Sequence, residues 1–245
     1  KRQNVKVSFE RPFLCVLFRN SLALQGIFVL LQYYAIMKNL KLIHYFLIAL
    51  GVIAIDQLVK YIIHQNMYLG QSEPVFGDWF KINYVTNPGM AFGMTLGGAY
   101  GKVILTIFRL AAMFGIAWYI HSLISKKAHK GFILCVAFIL GGAVGNLVDS
   151  VIYAILDPEL IVSAVENGGV PAPFALFHGK VIDMFYLDII SGYYPDGLPF
   201  VGGDYYSFWP VFNVADASIF CSVIVILIKQ KVFFVETETG NEKKE

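Results

Sequence analysis

The chain has 245 residues, of which 57% are hydrophobic and only 15% are charged, and its mean hydropathy is +0.63. An ordinary soluble domain carries about 45–50% apolar and about 25% charged residues, so this composition excludes a soluble globular protein and a disordered chain alike. With 19 basic and 17 acidic residues the net charge is +2, which is too balanced to indicate a nucleic-acid partner. The sequence therefore predicts an all-α membrane protein.

The first 36 residues precede Met37, the first methionine of the chain. Residues 13–36 are apolar, but Arg19 and Asn20 interrupt them and basic residues flank both sides. A span here would leave one basic cluster outside the membrane, against the usual charge bias. We interpret residues 1–36 as an extension upstream of a natural start at Met37, with an additional helix over 13–36 as the alternative.

Four apolar segments are each long enough, at about 20 residues, to cross a bilayer as a helix. They cover approximately 42–63, 103–124, 131–156 and 211–228, within a four-span domain of residues 37–235. Lysines collect before the first segment, between the second and third, and after the fourth, whereas acids collect in the long loop after the third. This bias predicts cytoplasmic termini, including a charged tail at 236–245, and external long loops.

The external loop between the first two spans has a strand-like pattern. Residues 75–94 alternate aromatic and polar side chains and then turn at Asn87-Pro88-Gly89. Trp79 and Phe80 favour a position at the headgroup level. We therefore expect four transmembrane helices with a small external β-rich platform and an extended external loop after the third span.

Several ionisable side chains lie within the predicted spans, where charge is energetically costly. Asp56 and Lys60 are four residues apart and can form an ion pair on one helical face, with Lys60 snorkelling to the interface. Arg109 in the second span is expected to anchor at the interface or to pair with another span. The small residues of Gly141-Gly142-Ala143-Val144-Gly145 in the third span allow close contact between helices.

Two asparagine–aspartate pairs, each spaced by three residues, occur near the external ends of the third and fourth spans. They are Asn146 with Asp149 and Asn213 with Asp216, while Asp183 interrupts a short apolar run in the long loop. Two carboxylates brought together at one edge of the bundle share a proton, so that one acts as base and the other as acid toward a bound water. Aspartic proteases hydrolyse amides in this way, without a metal or cofactor.

Five sequence blocks, taken in order, resemble the motifs of bacterial lipoprotein signal peptidase, also called signal peptidase II. They are Asp56-Gln57-x-x-Lys60, Asn87-x-Gly89-x-Ala91-Phe92, Gly141-Gly142-Ala143-x-Gly145-Asn146-x-x-Asp149, Val181-Ile182-Asp183 and Phe212-Asn213-Val214-Ala215-Asp216, and the resemblance covers roughly residues 38–232. It implies an inner-membrane aspartic endopeptidase that removes the signal peptide of a prolipoprotein just before the diacylglyceryl-modified cysteine. It also implies contact with membrane lipids and inhibition by globomycin.

The resemblance implies that Asp183 and Asp216 are the catalytic pair, and that Asn146 and Asn213 orient the pair and the substrate. Residues 70–95 would lie on the membrane and hold the lipidated substrate. The other motif residues would support the site or bind the substrate backbone: Asp56, Lys60, Asn87, Gly89 and Asp149.

The chain departs from the family pattern at Ser150, where the family usually has arginine. Arg109 or Lys180 is a candidate for the missing cation. The stretches 157–180 and 186–210 are longer than typical, and we interpret them as external loops that cover the site or contact a partner. Two alternatives to an active enzyme stay open: a small transporter or channel that uses the intramembrane Asp and Lys, and a catalytically inactive scaffold.

Overall fold

The computed structural model describes residues 41–88, 101–153, 155, 160, 176–197 and 203–238. By its internal contacts the chain divides into Lys1–Ile43 and His44–Glu245, and the site reported below lies in the second unit. The predicted extension at 1–36, the alternative helix at 13–36, Gly89, most of the 157–180 loop and the end of the predicted tail lie outside the described residues.

Four helices within the described residues are long and apolar enough to cross a membrane, which confirms the four predicted spans. They are α1 (Lys41–Asn66), α2 (Gly101–Ser125), α3 (Lys130–Val148) and α4 (Val214–Glu238). Large apolar side chains cover the outward faces of these helices, such as Leu47 on α1 and Phe108 on α2. Because lipid accepts such faces, the chain is a multi-pass membrane protein.

The helix ends differ from the approximate sequence-based boundaries most clearly at α3 and α4, and α4 continues to Glu238, ten residues beyond the predicted end at 228. The fourth helix begins at Val214, three residues later than predicted, because Asn213 occupies its N-cap position. The third helix passes into a π-helical turn, Asp149–Tyr153, in which Asp149 and Ser150 are buried. Such turns are rare, and they occur often at functional sites.

Helix α3 is the most buried of the four, and its glycines explain how closely the others approach it. A Cβ atom added at Gly142 would lie 2.4 Å from the carbonyl oxygen of Ala215, and one at Gly141 would lie 2.7 Å from the Cβ of Val52. Any larger side chain would push α4 or α1 away. The close contact predicted from the small residues is therefore confirmed.

A three-stranded antiparallel sheet follows α1, in the order β1-β2-β3. Strands β1 (Ser72–Phe76) and β2 (Phe80–Asn87) form the predicted platform, and β3 (Val181–Leu187) joins it from the loop after α3. The 186–210 stretch, predicted only as a loop, contains a second hairpin of β4 (Ser191–Tyr193) and β5 (Tyr205–Ser207).

The backbone of Phe212 ties the sheet to the start of α4. Its N–H donates to the carbonyl of Phe185 at 2.9 Å, and its carbonyl accepts from the N–H of Phe185 at 2.8 Å. This bridge brings β3 alongside the residues that precede α4, so that two motifs about 30 residues apart in the chain meet.

Candidate active site

The first turn of α4 is closed by a reciprocal pair of side chains. The Oδ1 of Asn213 accepts a hydrogen bond from the N–H of Asp216 at 2.9 Å, and the Oδ2 of Asp216 faces the N–H of Asn213 at 3.4 Å. Asparagine and aspartate at this spacing satisfy backbone donors that a helix start leaves open. The local sequence thus fixes the position of Asp216 within the first turn of α4.

Asp183 lies in β3 and is only 2% exposed. Its Oδ1 accepts from the side-chain amide of Asn213 at 2.7 Å, and its Oδ2 accepts from the amide of Asn87 at 3.1 Å. Val85 of β2 is the register partner of Asp183, so Asn87 is two residues further along the same strand and within side-chain reach. The sheet register therefore explains why Asn87 belongs to the site.

Asn146 of α3 joins the two aspartates into one network. Its amide donates to Oδ1 of Asp216 at 2.7 Å, and its Oδ1 accepts from the amide of Asn213 at 3.0 Å. The predicted pair of asparagines thus orients both carboxylates. The sequence-based expectation that Asp183, Asp216, Asn146 and Asn213 converge is confirmed as geometry.

The environment of Asp183 favours its protonated form. Burial raises the pKa of Asp183 from its ordinary value of 3.8 to about 7, and repulsion from Asp216 acts in the same direction. Hydrogen bonds from Asn87 and Asn213 oppose this shift. At neutral pH Asp183 can therefore hold a proton, with the charge of Asp216 close enough to favour that state.

A buried ion network supports these residues from α1. The ammonium of Lys60 lies 2.7 Å from Asp56 and 2.7 Å from Asp149, with all three side chains fully buried. It also donates to Asn146 Oδ1 at 3.2 Å. The predicted Asp56–Lys60 ion pair is confirmed, but the expectation that Lys60 snorkels to the interface is wrong, because two carboxylates hold its ammonium inside the bundle.

The two outer carboxylates of this network also hold backbone groups. Asp56 accepts from the N–H of Ala215 at 2.9 Å in the first turn of α4, where a negative charge is favourable. Asp149 accepts from the N–H of Ile182 at 3.2 Å, next to Asp183. Each support residue therefore fixes the backbone beside one of the two site aspartates.

Sequence reasoning assigned no role in the site to Gln57 or Lys102. The amide of Gln57 donates to Asp149 at 2.8 Å and also contacts the carbonyl of Gly145 at 3.2 Å. Gln57 stands in the first motif, so its spacing was a usable signal. Lys102 carried no such signal because it precedes the predicted second span, yet it is 3% exposed and donates to Ser150 Oγ at 3.2 Å.

Arg109 donates to the same Ser150 Oγ at 3.3 Å, so the expectation that it pairs with another span is confirmed. Lys180 is half-buried just before β3, and its backbone N–H donates to the carbonyl of Leu160 at 2.6 Å. In the part of the chain that the structure describes, no group of three or more His, Cys, Asp or Glu residues is arranged to hold a metal ion.

Comparison with known proteins agrees with this arrangement. Residues 48–232 match the family model Peptidase_A8, described as signal peptidase (SPase) II. A lipoprotein signal peptidase of Porphyromonas gingivalis (strain ATCC 33277) is 38% identical over 181 residues, which is 72% of this chain and 77% of that protein. That of Amoebophilus asiaticus (strain 5a2) is 39% identical over 187 residues, 75% and 76% of the two chains.

A lipoprotein signal peptidase of Chlorobium phaeobacteroides (strain BS1) is 30% identical over 191 residues, 78% of this chain and 97% of that protein. None of these similarities supports the transporter or channel alternative. The matched region includes α1 from residue 48 onward and the three-stranded sheet. It also includes every aspartate and asparagine of the hydrogen-bond network described above. The chain belongs to the signal peptidase II family of membrane proteases.

Proposed function

We propose that Asp183 and Asp216 are the catalytic dyad with which this protease cleaves prolipoproteins just before their diacylglyceryl-modified cysteine. One observation carries the assignment: Asn146 and Asn213, bonded to each other, hold one carboxylate from β3 and one from α4. Such a network orients acids for chemistry, since an ion pair alone would satisfy carboxylates that served only to stabilise the bundle.

The chemistry requires only this dyad and a water molecule. Asp183, with its pKa near 7, holds the shared proton and donates it to the oxygen of the scissile carbonyl. Asp216 accepts a proton from the water as its oxygen attacks the carbonyl carbon. The tetrahedral adduct then breaks its C–N bond while Asp216 returns that proton to the departing amine and Asp183 regains its own from the adduct. The dyad ends in its starting state.

The support residues limit motion of the dyad. Lys60, Asp56 and Asp149 form fully buried ion pairs, and together they hold the backbone on either side of the dyad. Acids fixed before the substrate arrives need no reorganisation during the reaction. The set therefore contributes to catalysis without touching the substrate.

The location follows from the distribution of charge. Lysines gather at the connection between α2 and α3 and after α4, which supports a cytoplasmic position for these segments and for both termini. The dyad lies near the end of α3 and the start of α4, away from these lysines. It would then face the exterior of a bacterial inner membrane. The sheet and membrane lipids would hold the lipidated end of the substrate there, and globomycin would compete for the same site.

Cleavage of a diacylglyceryl-modified prolipoprotein by the purified chain, with and without globomycin, tests the proposal. D183N and D216N should each lower kcat/KM by about 10²–10⁴-fold or more, because each removes one partner in proton transfer. D188N is the matched control, since Asp188 pairs with Lys81 at the other end of β3. Wild-type cleavage rates in D183N or D216N would contradict the dyad, and an inactive wild type would favour the scaffold alternative.

A further inference from the structure

Two cations of α2 meet at one buried hydroxyl. The Nζ of Lys102 lies 3.2 Å and the Nη1 of Arg109 lies 3.3 Å from the Oγ of Ser150, which in turn donates to the carbonyl of Asn146 at 3.1 Å. A serine hydroxyl has one donor and two acceptor positions, so these three bonds use it fully. Ser150 thus fixes both cations one helical turn from Asn146, which holds Asp216.

A neutral hydroxyl does not compensate two like charges in a site with little water. Lys102 is 3% exposed and Ser150 is 0% exposed, so bulk solvent screens them little. Placing two such groups together is unfavourable unless acids lie nearby. Arg109 interacts electrostatically with Asp216, Asp149 and Asp183, and Lys102 interacts with Asp149. The cations therefore belong to the charge cluster of the dyad.

The charges of that cluster balance in one protonation state of the dyad. Lys60 forms ion pairs with both support acids, Asp56 and Asp149, and these three charges leave one negative charge in excess before the dyad and the α2 cations are counted. A dyad with one proton adds a second negative charge. Arg109 and a protonated Lys102 together neutralise both, whereas a fully ionised dyad would leave the cluster negative and a fully protonated one would leave it positive.

We infer that Lys102 and Arg109 are positioning residues that stabilise the singly protonated dyad, with Ser150 as their common anchor. This inference rests on the proposed dyad. Arg109 has the larger effect because it interacts with both dyad carboxylates, and Lys102 acts through Asp149 and Arg109.

Other titratable or charged groups lie on the elements packed around the dyad, and none of the variants used in the test alters them. They are Asp56, Lys60 and His64 on α1, Tyr84 on β2, Asp149 and Tyr153 on α3 and its π-helical turn, and His178 and Lys180 before β3.

The test is the pH profile of kcat/KM for the full chain acting on a diacylglyceryl-modified prolipoprotein. Removing a nearby cation makes ionisation of the basic carboxylate harder, so R109Q should move the acid limb up by about one pH unit or more. K102M should move it in the same direction by less. R109K and K102R keep the charge and should restore the wild-type limb. K126Q, which removes an exposed lysine outside the site, should leave the profile unchanged.

An acid limb in R109Q at the wild-type pH, in a protein with wild-type thermal stability, would overturn the inference even if kcat/KM fell uniformly. If R109Q does not fold or is inactive at every pH, the same measurement on K102M replaces it. An acid limb of K102M at the wild-type pH would then overturn the inference. A different result would contradict the proposed dyad, namely wild-type cleavage by D183N or D216N. An inactive dyad mutant combined with an unmoved limb in R109Q and K102M would refute only the role of the α2 cations.

Discussion

The side-chain amide of Asn213 lies 2.7 Å from Oδ1 of Asp183, while its oxygen caps the first turn of α4 at the N–H of Asp216. The amide nitrogen and the amide oxygen of this one side chain therefore have different partners. The side chain caps the helix that carries Asp216, and it holds Asp183 in the neighbouring strand. Stability and catalysis are coupled here and can be separated by substitution.

We expect N213S to separate these two roles. Serine retains an oxygen that can cap α4, but it lacks the amide that reaches Asp183 and Asn146. N213S should be destabilised only by the loss of its buried amide, by about 1–3 kcal/mol, while kcat/KM falls at least about tenfold because Asp183 loses a hydrogen-bond donor. N213A loses the cap as well and should be less stable than N213S by about 1 kcal/mol. Wild-type cleavage by N213S would contradict the positioning role.

The raised pKa of Asp183 predicts how stability changes with pH. The folded protein holds a proton on Asp183 up to about pH 7, whereas the unfolded chain releases it near the ordinary value of 3.8. The stabilisation from this proton is complete below the lower value and is lost as pH rises to about 7. Thermal midpoints of wild type and D183N, measured from pH 4 to pH 8, should therefore show a steeper fall for the wild type.

Asp188 provides a control for that experiment, because its pKa is shifted in the opposite direction. Hydrogen bonds from Lys81 and Ser191 lower its pKa, so its contribution is present at neutral pH and is lost on acidification. D188N should reduce the loss of stability at low pH, by a small amount because the pair is partly exposed. Parallel curves for wild type and D183N would contradict the raised pKa of Asp183.

Gly142 should tolerate no side chain. An added Cβ would lie 2.4 Å from the backbone oxygen of Ala215, which cannot rotate away, so G142A must separate α3 from α4. We expect a destabilisation of about 1–3 kcal/mol or more, with loss of cleavage because Asn146 and Asp216 move apart. G115A is the matched control, since nothing lies within 4 Å of a Cβ there and alanine favours a helix. Equal stability of the two variants, measured by thermal unfolding in detergent, would refute the close contact.

Lys60 should be required for folding more than for the chemical step. K60M leaves Asp56 and Asp149 buried without their cation, which is expected to cost about 3–5 kcal/mol of stability. Replacing one acid as well, in K60M/D149N, should recover part of that loss. A thermal-unfolding double-mutant cycle measures the coupling, and additive effects would show that the Lys60–Asp149 contact contributes nothing.

The sequence alone determined the membrane class and the four spans, and it singled out the aspartates and asparagines that the structure brings together in one hydrogen-bond network. These features are local or periodic: a run of apolar residues long enough to cross a bilayer, an asparagine and aspartate three residues apart at a helix start, and scarce acids in apolar segments. Asp183 and Asp216 could be singled out because a carboxylate in such surroundings is costly in any fold.

Only the tertiary structure decided which groups compensate those charges. Three cases could not be derived from spacing: β3 joins the platform about 100 residues after β2, Lys60 is held inside the bundle by Asp149 of another helix, and Lys102 and Arg109 meet at Ser150. Each depends on contacts between segments far apart in the chain, which the glycines of α3 permit by letting helices approach closely. The scarcity of charge marked the site, and helix packing determined the partner of each charge.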